Sequence, residues 1–294
     1  MCFSDGDKIF FFNFAPLICK DIFFERKMKD VSIITINRNN LDGLKATYNS
    51  IISQSYNGWE WIVIDGASTK GDKSFLEQHQ DDISYWCSEP DSGVYNAMNK
   101  GIAKASGNYL IFMNSGDTFH DAAVLDNVFK NHHEADVLYG DWTRIYEDGH
   151  HLEIKSPDTF SLHFISRDNV CHQAMFIKGS VLKKFPYDES YRLYADWAKW
   201  IELTLRKCTF EHLPIQICYF MMGGMSCTAN TEEEFKMMQQ RELSPAIQET
   251  LKLIDHYQAP HPLAQEADRL IKKKKIYKKL IHCAIRLSHL LEKL

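Results

Sequence analysis

The chain has 294 residues, 45% of them hydrophobic and 25% charged, with a formal net charge of -5. These values fit a folded chain long enough for one large domain, or for a domain with an appended piece, and they exclude collagen-like and largely disordered chains. The charge is uneven: from Asp268 to Leu294 nine Lys and Arg face only Asp268 and Glu292, a net of +7 that leaves -12 for the rest. The eight cysteines form no C-x-x-C pair, and several sit in apolar runs such as Ile217-Cys218-Tyr219-Phe220. That is the pattern of free thiols in a reducing compartment rather than of a zinc site. No apolar run approaches the roughly 18 residues that span a bilayer. The richest, Ile9 to Phe24, is broken by Asn13, Pro16, Lys20 and Asp21 and lacks the basic start and small-residue cleavage site of a secretory signal, so a cytoplasmic protein is expected.

Residues 1–27 form an N-terminal extension of unassigned role, because the first core strand begins only at Val31. From there short β-rich runs alternate with helical stretches, the pattern of a parallel sheet with crossover helices. Val31 to Thr35 is read as a strand, Leu41 to Gln54 as a helix, Trp59 to Asp65 and Ile83 to Ser88 as strands, Val94 to Ala105 as a helix and Tyr109 to Met113 as a fourth strand. Right-handed crossovers bring the carboxyl ends of such strands to one edge, where open α/β sheets bind ligands. Polar residues gather at those ends: Thr35, Asn37 and Arg38, then Asp65, then Glu89 and Asp91, then Asn114 and Asp117.

Further on, Val137 to Tyr146, His172 to Ile177 and Ile215 to Met222 read as strands, and Tyr194 to Lys207 as a helix. Glu232 to Tyr257 reads as helical apart from Pro245, and the break Ala259-Pro260-His261-Pro262 introduces the basic tail. The expected organisation is therefore a domain over 28–258, divided into halves at 28–130 and 131–258, followed by a basic amphipathic helical tail over 259–294.

Neither G-x-x-x-x-G-K-[ST] nor G-x-G-x-x-G occurs, so a bound phosphate needs another counter-charge, for which a carboxylate-held Mg²⁺ or Mn²⁺ is the usual device. Asp117 is the candidate ligand. It ends the buried run Tyr109 to Met113 through Asn114-Ser115-Gly116, and Gly116 permits the tight turn that aims the carboxylate back over the strand end. Taken alone, an Asx-turn capping a following helix explains the motif as well.

The ordered set of pieces resembles the nucleotide-binding half of inverting family-2 glycosyltransferases with the GT-A fold. It is especially similar to the branch that builds bacterial exopolysaccharide, colanic-acid-type and O-antigen repeat units. The pieces are Val31-Ser32-Ile33-Ile34-Thr35 with Asn37, Gln54 and Tyr56, Glu60 to Ser68, Ser88 to Gly101, Ala105-Ser106-Gly107 and Asn114-Ser115-Gly116-Asp117, about a third of the chain. The resemblance implies a Rossmann-like α/β domain with a mixed, mostly parallel sheet flanked by helices and a C-terminal helical extension. It implies a nucleotide diphosphate sugar donor, UDP-linked by preference, held by Thr35, Asn37, Asp65, Asp91, Asn99, Lys100 and Ser115. It further implies Mn²⁺ or Mg²⁺ on Asp117, the last carboxylate of a D-x-D whose first position here is Ser115.

The same resemblance makes Asp196 the general base that takes the acceptor proton, against the alternative of a plain N-cap. It sets His172, Gln173, Gly224 and Ser226 beside the acceptor or on a loop over the diphosphate. The acceptor implied is a glycan hydroxyl, on a lipid-linked glycan. The tail can supply membrane contact, since Leu280, Ile281, Ala284, Leu287, Leu290 and Leu291 lie at helical spacing opposite its lysines, or it can dock on the body or on a second subunit. No nucleic-acid partner is expected. A sugar nucleotidyltransferase and a non-catalytic sugar-nucleotide-binding subunit of the same fold stand as alternatives.

Overall fold

The computed structural model describes residues 29–223 and 232–258. The N-terminal extension, Gly224, Ser226 and the basic tail lie outside the described residues. The chain forms strands β1 (Val31–Asn37), β2 (Trp59–Asp65), β3 (Tyr85–Ser88), β4 (Tyr109–Phe112), β5 (Thr118–Phe119), β6 (Val137–Ile145), β7 (His151–Ile154), β8 (Met175–Lys178) and β9 (Phe210–Met221). The helices are α1 (Leu41–Ile52), α2 (Asp72–Gln78), α3 (Val94–Lys104), α4 (Val124–Phe129), α5 (Leu162–Ile165), α6 (Gly179–Lys184), α7 (Ala195–Leu205), α8 (Glu232–Glu242) and α9 (Pro245–Gln258).

The strands share one mixed sheet in the order β3-β2-β1-β4-β8-β6-β9-β5, with β7 paired to β6. The first four are mutually parallel, and β8 runs antiparallel between β4 and β6. Both faces of β1 and β4 are covered, which is why Val31, Ile33, Ile34, Leu110, Ile111 and Phe112 form nearly continuous apolar runs with at most 1% exposure. Successive crossovers carry the chain from β1 outward to β3. Helix α3 then brings it back to the other side of β1. The strand order therefore reverses between β1 and β4, and their carboxyl ends diverge into a crevice.

Several elements differ from the sequence reading. Strand β3 begins at Tyr85, because Ile83 packs into the core from a turn. His172–Ala174 is a 3-10 turn, and the strand starts only at Met175. Strand β9 begins at Phe210 and runs through Pro214, which the sequence reading treated as lying outside a strand. Gly140 pairs with Leu213 and Asp141 with Gln216, so Pro214 falls at a register shift where no ladder N–H is required. The Glu232 to Tyr257 stretch is two helices, with Pro245 opening the second, where a missing N–H is harmless. The short elements α2, β5, α4, β7, α5 and α6 carry too little periodicity to be read from sequence.

The shift between β6 and β9 begins at Gly140, where a Cβ would lie 2.5 Å from Ile217 Cγ1 and 2.8 Å from Ile215 O. Gly140→Ala should destabilise the protein by about 1–3 kcal/mol through this overpacking, measured as a drop in the urea midpoint with unchanged m-value.

Candidate functional site

A cavity of about 850 Å³ opens at the divergence of β1 and β4. Its walls include Asn37 and Arg38 from the end of β1, Asp91 before α3, Asn114 to Asp117 after β4, Trp142 and Arg144 of β6, and Asp196 with Trp197 of α7. The 3-10 turn supplies His172 and Gln173 to the same wall.

The Asn114 to Asp117 turn is clamped from α1. Thr47 Oγ1 lies 2.8 Å from Asp117 O, 3.1 Å from Asn114 O and 3.0 Å from the Gly116 N–H that donates to it. Gly116 has φ of 108°, the left-handed region expected for it. Asp117 caps no helix, since β5 follows it. Its carboxylate is 6% exposed and accepts from Gln173 Nε2 at 2.6 Å and from the Met221 N–H at 3.1 Å. Burial dominates over these bonds and pushes its pKa up to about 6.

Asp196 stands in the first turn of α7, and the N-cap position belongs to Tyr194, so the plain-cap reading does not apply. Its Oδ1 accepts from the Trp197 N–H at 2.8 Å and lies 3.1 Å from Tyr95 OH. Burial, with the neighbouring Asp196 charge, holds the Tyr95 phenol well above its usual pKa and keeps it protonated as a donor. The other oxygen, Oδ2, lies 3.0 Å from His172 Nδ1, and His172 Nε2 lies 2.9 Å from Asn114 Nδ2. An amide donor on one side and a carboxylate on the other place the histidine proton on Nδ1. Adjacent residues of one turn thus hold two separate carboxylates: His172 binds Asp196 and Gln173 binds Asp117.

The donor-side candidates divide. Asn37 and Ser115 join the two strand ends, with Ser115 Oγ donating to Asn37 Oδ1 at 2.7 Å, and both line the cavity. Asp91 also lines it, and its Oδ1 accepts from the Gly93 N–H at 3.0 Å. Asp65 is fully buried behind them, bonded to Asn37 Nδ2 at 2.7 Å and Ser88 Oγ at 2.6 Å, so it orients Asn37 from beneath the cavity wall. Thr35 is buried under Trp61 Nε1 at 2.9 Å. The structure does not bring Asn99 or Lys100 to the wall. Asn99 binds Tyr187 O and Glu189, while Lys100 pairs with Glu89 at 2.7 Å.

Sequence reasoning missed Glu234 of α8. Its Oε1 accepts three successive backbone N–H groups, from Arg192 and Leu193 at 2.8 Å and from Tyr194 at 3.3 Å, just ahead of Asp196. Phe235 packs on Tyr194 and Trp197, and Tyr191 OH donates to Glu242 at 2.7 Å. No local pattern marks Glu234, because its partners lie some forty residues away.

The sequence pattern of glycosyl transferase family 2 matches residues 32–226. The chain belongs to that family. An uncharacterized glycosyltransferase of Mycobacterium tuberculosis (strain ATCC 25618 / H37Rv) is 37% identical over 175 residues, covering 56% of this chain and 65% of the relative, a little under two thirds of its length. Among solved structures, Staphylococcus aureus TarS 1-349 in complex with UDP-GlcNAc has a TM-score of 0.61 at 17% identity, over 72% of this chain and 65% of that one. The mannosyltransferase PcManGT of Pyrobaculum calidifontis, in complex with GDP-Man and Mn²⁺, has a TM-score of 0.52 at 14% identity, over 87% and 84%. The fold of this family member is accordingly GT-A.

Two predictions test the site as built. In the metal-free protein the Asp117 proton is held more tightly in the fold than in the unfolded chain. Stability therefore falls as pH rises from the ordinary carboxylate value, 3.8, to about 6, and the cost is fully present above that. Asp117→Asn should raise stability at pH 8 by about 1–3 kcal/mol, with little effect at pH 4, in paired thermal melts. The buried Gln173 Oε1, which has no partner, can turn to accept from the new amide. Glu234→Ala, by orphaning three N–H groups, should cost about 1–3 kcal/mol and loosen residues 192–194, read as faster amide exchange there and not at β1.

Proposed function

We propose that the chain is an inverting glycosyltransferase that moves a hexosyl group from a nucleotide diphosphate sugar, with UDP favoured, to a glycan hydroxyl in surface-polysaccharide synthesis. The observation that carries this reading is the pair His172 and Gln173 presenting Asp196 and Asp117 to one cavity at the β1/β4 divergence.

Asn37, Ser115 and Asp91 border the donor side, with Asp65 and Thr35 fixing the strand ends behind them. Asp196 takes the acceptor hydroxyl proton as that oxygen attacks the anomeric carbon from the face opposite the departing diphosphate. Three features keep this carboxylate in place for proton transfer: the α7 N-terminus, the Tyr95 hydroxyl and the His172 Nδ1–H. His172 in turn is fixed by Asn114, which belongs to the turn that carries Asp117.

Mn²⁺ or Mg²⁺ fits the residues present. Asp117 is a buried carboxylate with no cationic side chain bonded to it, and Asn114 Oδ1 in the same turn is buried without a partner. Among the described residues no cluster of three or more His, Cys, Asp or Glu could cage an ion, which suits a metal that takes most of its ligands from phosphate and water. When bound, such an ion offsets the negative charge that develops on the leaving diphosphate. Ser115, held by Asn37, has its hydroxyl proton committed and stands where a second carboxylate would otherwise be.

No helix among the described residues is long and apolar enough to cross a membrane. A lipid-linked acceptor would be met at the inner face of the cytoplasmic membrane, and the basic, leucine-striped sequence over 270–294 supports peripheral contact there.

The expected result for Asp196→Asn is turnover reduced by about a hundredfold or more, with UDP affinity within about twofold of the parent by titration calorimetry. Turnover that survives this change would remove Asp196 from the role of base.

A further inference from the structure

Six arginines lie among the described residues. Three of them, Arg167, Arg206 and Arg241, pair with Asp255, Glu202 and Asp188, and none of these three lines the cavity. The other three, Arg38, Arg144 and Arg192, all line it, and none pairs with a carboxylate of a described residue. Residues 224–231, which follow Gly223 of the cavity wall, contain no Asp or Glu that could serve as a counter-ion.

Arg144 is the most committed of the three. It is half-buried, and its guanidinium lies 4.9 Å over the ring of Trp142. Trp142 is 4% exposed and meets Phe220 edge-on, with ring centroids 5.8 Å apart. The resulting corner is a planar cation laid over a buried aromatic ring and turned to the cavity. A guanidinium fork matches the two oxygens of a carboxylate or phosphate. The corner belongs to β6 and β9, on the far side of β8 from the four parallel strands that end at the donor side. Arg192 stands four residues before Asp196, on the loop held by Glu234.

We propose that this corner is an acceptor subsite for an anionic sugar, one that bears a carboxylate or a phosphate, with Arg144 as its principal recognition residue and Arg192 as its second. The inference rests on the transferase reading above. Arg38, at the end of β1, stands on the nucleotide side and is no part of it.

The test uses the full chain with UDP and Mn²⁺ present and three probes: p-nitrophenyl β-D-glucuronide, glucose 6-phosphate, and p-nitrophenyl β-D-glucoside as the neutral counterpart. At least one anionic probe should bind about ten- to a hundredfold more tightly than the glucoside, the range for a charge-assisted hydrogen-bonded pair. Preference for the glucuronide marks an acidic sugar, and preference for the phosphate marks a phosphorylated one. Arg144→Gln should abolish the preference while UDP affinity stays within about twofold, and Arg144→Lys should restore only part of it, because the point charge lacks the planar fork. Thermal melts of both variants establish that they are folded.

The inference is overturned if neither anionic probe exceeds the glucoside, or if Arg144→Gln weakens UDP as much as it weakens the anionic probe, which would assign Arg144 to the diphosphate. Failure of the parent protein to bind UDP, with anion preference intact, would remove the transferase reading and leave the anion subsite standing.

Discussion

The site depends on a short 3-10 turn whose two adjacent side chains hold two carboxylates apart. His172 takes the Asp196 oxygen at 3.0 Å and Gln173 takes the Asp117 oxygen at 2.6 Å. A turn of this kind projects successive side chains in different directions, so one rigid element can set the spacing between groups that arrive from opposite halves of the chain. Asp117 comes from the end of β4 and Asp196 from the first turn of α7. The turn sits directly before β8, the strand that joins the parallel half of the sheet to the rest.

The two carboxylates are held by different physics. Asp117 is nearly dry, accepts two hydrogen bonds and has its pKa pushed up by burial, so the fold carries its charge at a cost. Asp196 is solvated by fixed donors instead: a helix N-terminus, a phenol that stays protonated, and a histidine whose tautomer is set by Asn114. Helix α8 extends this support outward, since Glu234 fixes the backbone that leads into Asp196.

Charge in the cavity follows the same division. Among the described residues, the arginines away from the cavity are matched to carboxylates, whereas those on its wall are not. Leaving a half-buried guanidinium unmatched is costly in the empty protein, so its placement against Trp142 points toward recognition rather than stability.

The sequence by itself determined the parallel half of the sheet, because buried strands such as Trp59–Asp65 are written as continuous apolar runs that stop at polar residues. It also placed Asn37, Ser115 and Asp117 near one edge, since strand ends in this topology share that edge. Only the tertiary structure decided which polar ends reach the cavity. Asp65 and Thr35 are turned beneath the wall, and Asn99 and Lys100 are taken up by Glu189 and Glu89. It alone carried β9 through Pro214, by a register shift that no local preference encodes. The link from His172 to Asp196 and the three N–H groups on Glu234 likewise join residues distant along the chain. Periodicity reports only what near neighbours do, and these contacts exist because packing brings remote segments together.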